Sequence, residues 1–294
     1  MNGASLLRLV ALGAIWGGSF AFMRIASPQF GAPALIGLRV AIAALFLASI
    51  AMLRSTPLAW RAHWRRYLVI GTTNSAIPFV LFAHAAQTLP AAVLALTNSL
   101  APIFGALLAA AWLGIAITPR TWLGLGAGVA GVAVLSASSL AGSAIAAPRE
   151  AIALALFEAI AAPFFYGLAA TYIRRQSAGM DAFGNAHGSM WAATLCMAPL
   201  AFAYMPHAAP TPPAWIAALA LGLLCTGIAY LLQFRLIADL GATRALTVTF
   251  LIPLFGVLWS ALLLREPVGL PLLAAGTLIV AGMYLTVTPS PARR

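Results

Sequence analysis

The chain has 294 residues, 63% hydrophobic and only 7% charged, a mean hydropathy of +1.00, and a formal net charge of +11 in which every cation is arginine. A water-soluble globule of this size needs more polar surface than that. A nucleic-acid-binding domain needs its cations gathered on one folded face. Both classes are excluded, as is a retinal-type pump, which needs a lysine for its Schiff base.

Apolar runs long enough to carry a helix across ~30 Å of hydrocarbon occur at 6–27, 34–53, 67–86, 90–112, 121–140, 151–172, 182–204, 214–236, 242–264 and 269–287. They are continuous rather than alternating, which excludes an outer-membrane barrel and predicts an all-α integral membrane bundle of ten transmembrane helices. Arg8 followed by an apolar run and "GSFA" imitates a secretory signal, but the run has the length of a span and a counterpart in the second half, so it is expected to stay as the first helix.

The loops carry the orientation signal. With a cytoplasmic N-terminus, Arg8, Arg54, Arg61, Arg65, Arg66, Arg120, Arg174, Arg175, Arg235, Arg244, Arg293 and Arg294 fall inside, against Arg24, Arg39, Arg149 and Arg265 towards the outside. The positive-inside rule then puts both termini in the cytoplasm. Cys196 and Cys225 lie within predicted spans without a CxxC or a neighbouring histidine, and His63, His84, His187 and His207 are scattered. No metal and no cofactor is expected.

Pro102 and Pro253 are separated by 253 − 102 = 151 residues, and each is followed by Phe and Gly, as Phe104-Gly105 and Phe255-Gly256. At the same offset Gly71 pairs with Gly222, Ser75 with Thr226, Phe79 with Tyr230 and Gly131 with Gly282; nearer the start, Trp16-Gly17 aligns with Tyr166-Gly167 and Arg24 with Arg174. The chain therefore divides into repeats at 1–145 and 146–294. Five spans per repeat is an odd number, so the second repeat is expected upside down relative to the first, a recurring plan of secondary transporters.

The segments "LGAIWGGSFAFMRIA", "GLRVAIAALFL", "LTNSLAPIFGALLAAAWLG" and "TFLIPLFGVLWSALLLREPVG", in this order and spacing, resemble the EamA-type members of the drug/metabolite transporter superfamily, over essentially the whole chain. The resemblance implies two inverted five-helix repeats in a bacterial inner membrane, exporting amino acids or other small metabolites, most like the YddG-type aromatic amino-acid exporters. One departure stands out: the second half has Glu266-Pro267 where the first has Ile115-Ala116.

Helix-interior prolines free a backbone carbonyl, which lipid does not tolerate unless protein or a water-filled cavity satisfies it. Pro102 with Gly105 and Pro253 with Gly256, read as mid-helix, are candidate hinges. Polar and ring residues at corresponding depths in helices one, three, four, six, eight and nine mark a central, largely uncharged cavity: Trp16, Asn74, Phe79, Phe82, Asn98, Tyr166, Tyr230, Gln233 and Thr249. Glu158 is the acid placed clearly inside a span. With Arg24 and Arg39, from the same side, it forms a candidate gate or coupling set: an ion pair that closes the cavity, an anchor for a substrate carboxylate, or a structural pair.

The expected partners are a small-molecule substrate and the bilayer, with no nucleic acid; a monomer is compatible with the sequence. Lipid or amphipathic-drug translocation on the same fold is the alternative. An intramembrane enzyme is disfavoured, because Asp181 and Asp239 stand apart and no histidine is placed to activate a serine.

Overall fold

The computed structural model describes residues 3–56, 58–141, 145–176 and 182–288, with the side chains of Ala242 and Thr243 excepted. Asp181, Arg293 and Arg294 lie outside the described residues. Within them the chain is all-helical, with ten helices in order: α1 Gly3–Phe30, α2 Ala32–Leu53, α3 Trp60–Ala85, α4 Ala91–Leu113, α5 Pro119–Ala141, α6 Arg149–Arg175, α7 Ala182–Ala203, α8 Pro212–Leu240, α9 Val248–Leu264 and α10 Leu270–Val287. Eight are long and apolar enough to cross a membrane. The exceptions depart from the ten expected spans for separate reasons. Helix α7 carries Asn185, His187 and Ser189, while α9 has only 17 residues because the run from 242 breaks at Leu246–Thr247.

Local sequence sets these boundaries. The helices α2, α4, α6, α8 and α10 all begin at or beside a proline (Pro33, Pro90, Pro148, Pro212 and Pro271), where the missing N–H is an orphan of the first turn anyway. Helices α4 and α9 end alike, on Gly114 (φ 68°) and Arg265 (φ 54°), after which Ile115 N–H bonds Ala109 O and Glu266 N–H bonds Ser260 O. This left-handed cap satisfies carbonyls at the helix end, and Gly114 and Arg265 are themselves 151 residues apart.

Apolar side chains cover the outside, among them Leu45, Leu123, Val129, Phe157, Leu195 and Leu262. Polar groups of α7 are satisfied within it: Trp191 Nε1 donates to His187 Nε2 at 3.1 Å, and Ser189 Oγ donates to Ala186 O. Helix α1 packs against α8 and α9, and α6 packs against α3 and α4. Helix α2 meets α7 and α8, α3 meets α7, α4 meets α9, and α5 meets α10. These principal pairs map onto one another when each helix is exchanged for the one five places along, while the lesser contacts of α1 with α3 and α4 and of α4 with α10 do not.

The closest crossings rest on glycine. A Cβ on Gly17 would lie 2.7 Å from Phe255 Cβ and 2.8 Å from Ile252 O, and one on Gly167 would lie 2.7 Å from Gly105 N. A Cβ on Gly256 would collide with Ala95 Cβ. Close backbone approach through small residues is how helices associate where lipid removes the hydrophobic drive.

Among the described residues the helix ladder is irregular in four places. Helix α3 carries a π segment at Thr72–Ala76 and α8 one at Ala220–Ile228. Helix α4 is interrupted at Ser99–Leu100, and the chain entering α9 at Leu246–Thr247. The mid-helix reading of Pro102 is corrected accordingly. Pro102 sits in the first turn after the α4 break and Pro78 in the first turn after the α3 π segment, whereas Pro253 and Pro163 lie within continuous helix.

Overpacking a tight core contact costs about 1–3 kcal/mol. In detergent, Gly256→Val is expected to lower the melting temperature read by size exclusion, while Gly126→Ala, whose Cβ meets nothing within 4 Å, leaves it unchanged. Equal melting of the two variants would contradict the crossing described.

Candidate functional site

A cavity of about 460 Å³ lies between the helices. All nine residues named for it from the sequence line it: Trp16 from α1, Asn74, Phe79 and Phe82 from α3, Asn98 from α4, Tyr166 from α6, Tyr230 and Gln233 from α8, and Thr249 from α9. Of the candidate hinge residues Pro102 and Gly105 also line it, whereas Pro253 and Gly256 are buried in the crossing with α1 and α4.

The inner wall is aromatic. Phe20 meets Phe82 edge-on at 5.3 Å between centroids, and Tyr166 lies 6.3 Å from Phe82 and 6.5 Å from Phe79. Polar groups project between the rings, with Asn74 Nδ2 donating to Tyr230 Oη at 3.3 Å across the two halves of the chain. From there the cavity runs to the end of the bundle where α8 and α10 finish, past Gln233, Leu246, Met283 and Val287.

One charge stands in this largely uncharged chamber: Arg39 lines it while only 3% exposed. Its Nε donates to Thr226 Oγ1 at 3.0 Å, and its guanidinium carbon sits 3.6 Å above the centre of the Phe79 ring. Thr226 in turn donates to Leu221 O at 2.8 Å, inside the π segment of α8.

Arg24, Arg39 and Glu158 do not meet. Glu158 faces the end of α3, where its Oε2 lies 2.7 Å from His84 Nδ1. Arg24 lies at the same end of the bundle, opposite the cavity mouth. Its Nη1 donates to Ala86 O at 2.9 Å and Gln87 O at 2.8 Å, and its Nε lies 3.4 Å from Glu266 Oε1. Glu266 Oε2 accepts from the Ala91 N–H at 2.8 Å, the first residue of α4, and from Ser260 Oγ. Ser27 Oγ donates to Ala83 O and accepts from Gln87 Nε2. One carboxylate thus ties α9 to the start of α4 and the end of α1. A carboxylate at a helix N-terminus is favoured by the orphan N–H groups and the dipole. Before the structure, Glu266 stood out only as a departure from symmetry.

At the cavity end the chain is held differently. Asp239 bonds Arg8 Nη1 at 2.5 Å and Arg235 Nε at 3.1 Å, tying α8 to α1, while Arg66 Nη1 donates to Gln176 O. Asp239 is therefore paired rather than isolated. The acidic cap of Ala91 has no equivalent here, since Ile115 stands in the place of Glu266.

Sequence reasoning missed Ser19, Met23 and Cys225 as wall residues, and the whole contribution of α10 through Met283 and Val287. Small or apolar side chains in an apolar helix give no local sign of facing a void. Phe164, two residues before Tyr166, does not join the wall: it packs edge-on against Phe104 at 5.8 Å and is partly exposed on the outside.

The sequence profile of the EamA-like transporter family matches the chain twice, over residues 3–137 and 153–288. The "Uncharacterized transporter YvbV" of Bacillus subtilis (strain 168) is 27% identical over 293 residues, covering 98% of this chain and 93% of that protein. A solved protein crystal structure superposes with a TM-score of 0.66 over 97% of this chain and 96% of that one, at 19% identity, which speaks to the fold alone.

Removing the Glu266 carboxylate leaves the Ala91 N–H without its acceptor. Glu266→Ala is expected to speed hydrogen–deuterium exchange across residues 86–94, and Glu150→Ala, an exposed acid at the start of α6, to leave it unchanged. Unaltered exchange in Glu266→Ala would show that the tie does not hold that end.

Proposed function

We propose a function from one premise: the chain belongs to the EamA-like transporter family and is a multi-pass membrane protein. On our reading, 1–145 and 146–294 are two five-helix repeats of opposite orientation in a bacterial inner membrane, with both termini cytoplasmic. The protein exports neutral or aromatic amino acids or similar small metabolites by alternating access, and it is not an enzyme.

The observation that carries this reading is the difference between the two ends. The cavity reaches one end past Gln233 and Val287, while at the other Phe20, Phe82 and Tyr166 close it off and Arg24, Glu266 and the Ala91 N–H tie three helices together. Arg54, Arg61, Arg65, Arg66, Arg120, Arg174 and Arg175 cluster around the open end, so the positive-inside rule makes this the cytoplasmic face. The chain is then caught open to the cytoplasm. Glu158 with His84 belongs to the closed outer gate.

Support for a symmetric exchange between two states comes from the principal helix contacts, which map onto one another on swapping halves although those of α1 with α3 and α4 and of α4 with α10 do not, and from a difference in where the helices break. The α4 break lies at Ser99–Leu100, whose equivalent at the 151-residue offset is Phe250–Leu251, yet the second break falls at Leu246–Thr247. Two like repeats in unlike conformations can interconvert by trading conformations, which opens the site to each side in turn. Pro102 with Gly105 and Pro253 with Gly256 are the hinges of that exchange.

The test is counterflow in liposomes. Vesicles loaded with unlabelled phenylalanine or leucine are expected to accumulate the labelled compound without ATP or an ion gradient. Asn98→Leu, which removes a polar wall group, should slow this about tenfold, the equivalent of one lost hydrogen bond. Exchange of no neutral or aromatic amino acid would overturn the proposed substrate class.

A further inference from the structure

Arg39 is the one charged side chain among the described residues that line the cavity. Its guanidinium offers five N–H donors. Nε is used on Thr226, the face is covered by Phe79, and Nη1, fully buried, has no hydrogen-bond partner. The described acids are engaged or remote. Glu158 pairs with His84 and Glu266 with Arg24 and the Ala91 N–H at the closed end, Asp239 pairs with Arg8 and Arg235 at the open end, and Glu150 is exposed at the start of α6. The other titratable groups facing Arg39 from neighbouring elements are Tyr166 of α6 and Cys225 and Tyr230 of α8, none of them anionic in its ordinary state. A cation buried in a membrane bundle without an anion is costly and marks a functional position.

Resting on the transport reading above, we infer that Arg39 is the anchor for a carboxylate of the transported solute, and that the solute is an aromatic or branched apolar monocarboxylate whose amino group is dispensable. The anion arrives with the ligand and completes the guanidinium's bonding, a pairing for which its fork geometry is suited. Phe20, Phe82 and Tyr166 receive the apolar body. An ammonium group would meet only neutral dipoles such as Asn74 and Asn98, since no described lining residue is acidic. The anchor is therefore selective for the negative end of the solute and indifferent to the positive one. Arg39 is a binding residue, and Thr226 and Phe79 are its positioning residues.

Four compounds sharing one ring separate the possibilities in counterflow with the full-length protein: phenylalanine, 3-phenylpropionate, phenylalaninamide and phenethylamine. The first two, which keep the carboxylate, are expected to exchange. The last two, which lack it, are expected to exchange at least about tenfold more slowly, as for loss of a charged hydrogen bond. Arg39→Gln should abolish the preference for the carboxylate compounds, and Arg39→Lys, which keeps the charge without the fork, should restore part of it. The wild-type selectivity needs no variant to fold, and both variants are first checked for monodispersity. Exchange of the amide and amine as fast as the acids would overturn the anchor while leaving the transporter reading intact. Exchange of none of the four, with leucine also inert, would overturn the anchor and the substrate class proposed above together.

Discussion

In hydrocarbon, every backbone N–H and C=O must find a partner within the protein, and the rest of this structure follows from how that constraint is met. Regular helix satisfies it without help. The four places where the ladder is irregular are the π segments of α3 and α8 and the breaks at Ser99–Leu100 and Leu246–Thr247. Each contributes to the cavity wall, through Asn74, through Cys225 and Thr226, through Ser99 and Pro102, and through Leu246 and Thr249. Irregular backbone at membrane depth is tolerated where it borders protein or water, and π segments recur at functional sites. Thr72 and Thr73 turn their hydroxyls back onto Leu68 and Val69 carbonyls, so the α3 segment meets part of its own need.

The two ends of the bundle are closed by different chemistry. At the closed end a carboxylate reaches from α9 to the first N–H of α4, an interaction that depends on Glu266 and cannot be copied at the other end, where Ile115 stands. The open end relies on Asp239 with two arginines, of which Arg235 is well exposed. Exposed ion pairs contribute little, but the Arg8–Asp239 pair is about as shielded as Arg24–Glu266 at the other end. The departure from internal symmetry that the sequence displays in two residues is thus a difference in what ties each end, a carboxylate on a helix N-terminus at one and ion pairs at the other.

Much of this was legible beforehand. Helix positions followed from continuous apolar runs, whereas the boundaries set by Pro90, Pro148 and Pro212 and by Gly31 and Gly114 emerged with the structure. The wall residues Asn74, Asn98 and Gln233 stood out because an amide facing lipid is expensive, so their direction could be argued from chemistry alone. Three things were hidden. The π segment of α8 has no proline to announce it, since Ala229 occupies the place of Pro78. Partners distant in sequence, such as Arg24 with Glu266 or Glu158 with His84, leave no trace in local pattern. And for Arg39, left open between a gate, a carboxylate anchor and a structural pair, local pattern did not say that it faces the cavity, because that depends on α2 turning its side towards the π segment of α8.

A chamber reached from one face and shut from the other admits water and small reagents from that face alone. Thr249→Cys, placed in a chain carrying Cys196→Ala and Cys225→Ala, reads this out when a membrane-impermeant maleimide is added to one face of sealed vesicles at a time. Modification only from the face that bears the N-terminus, slowed by saturating phenylalanine, is the expected result. Modification at equal rates from both faces, or from neither, would contradict it.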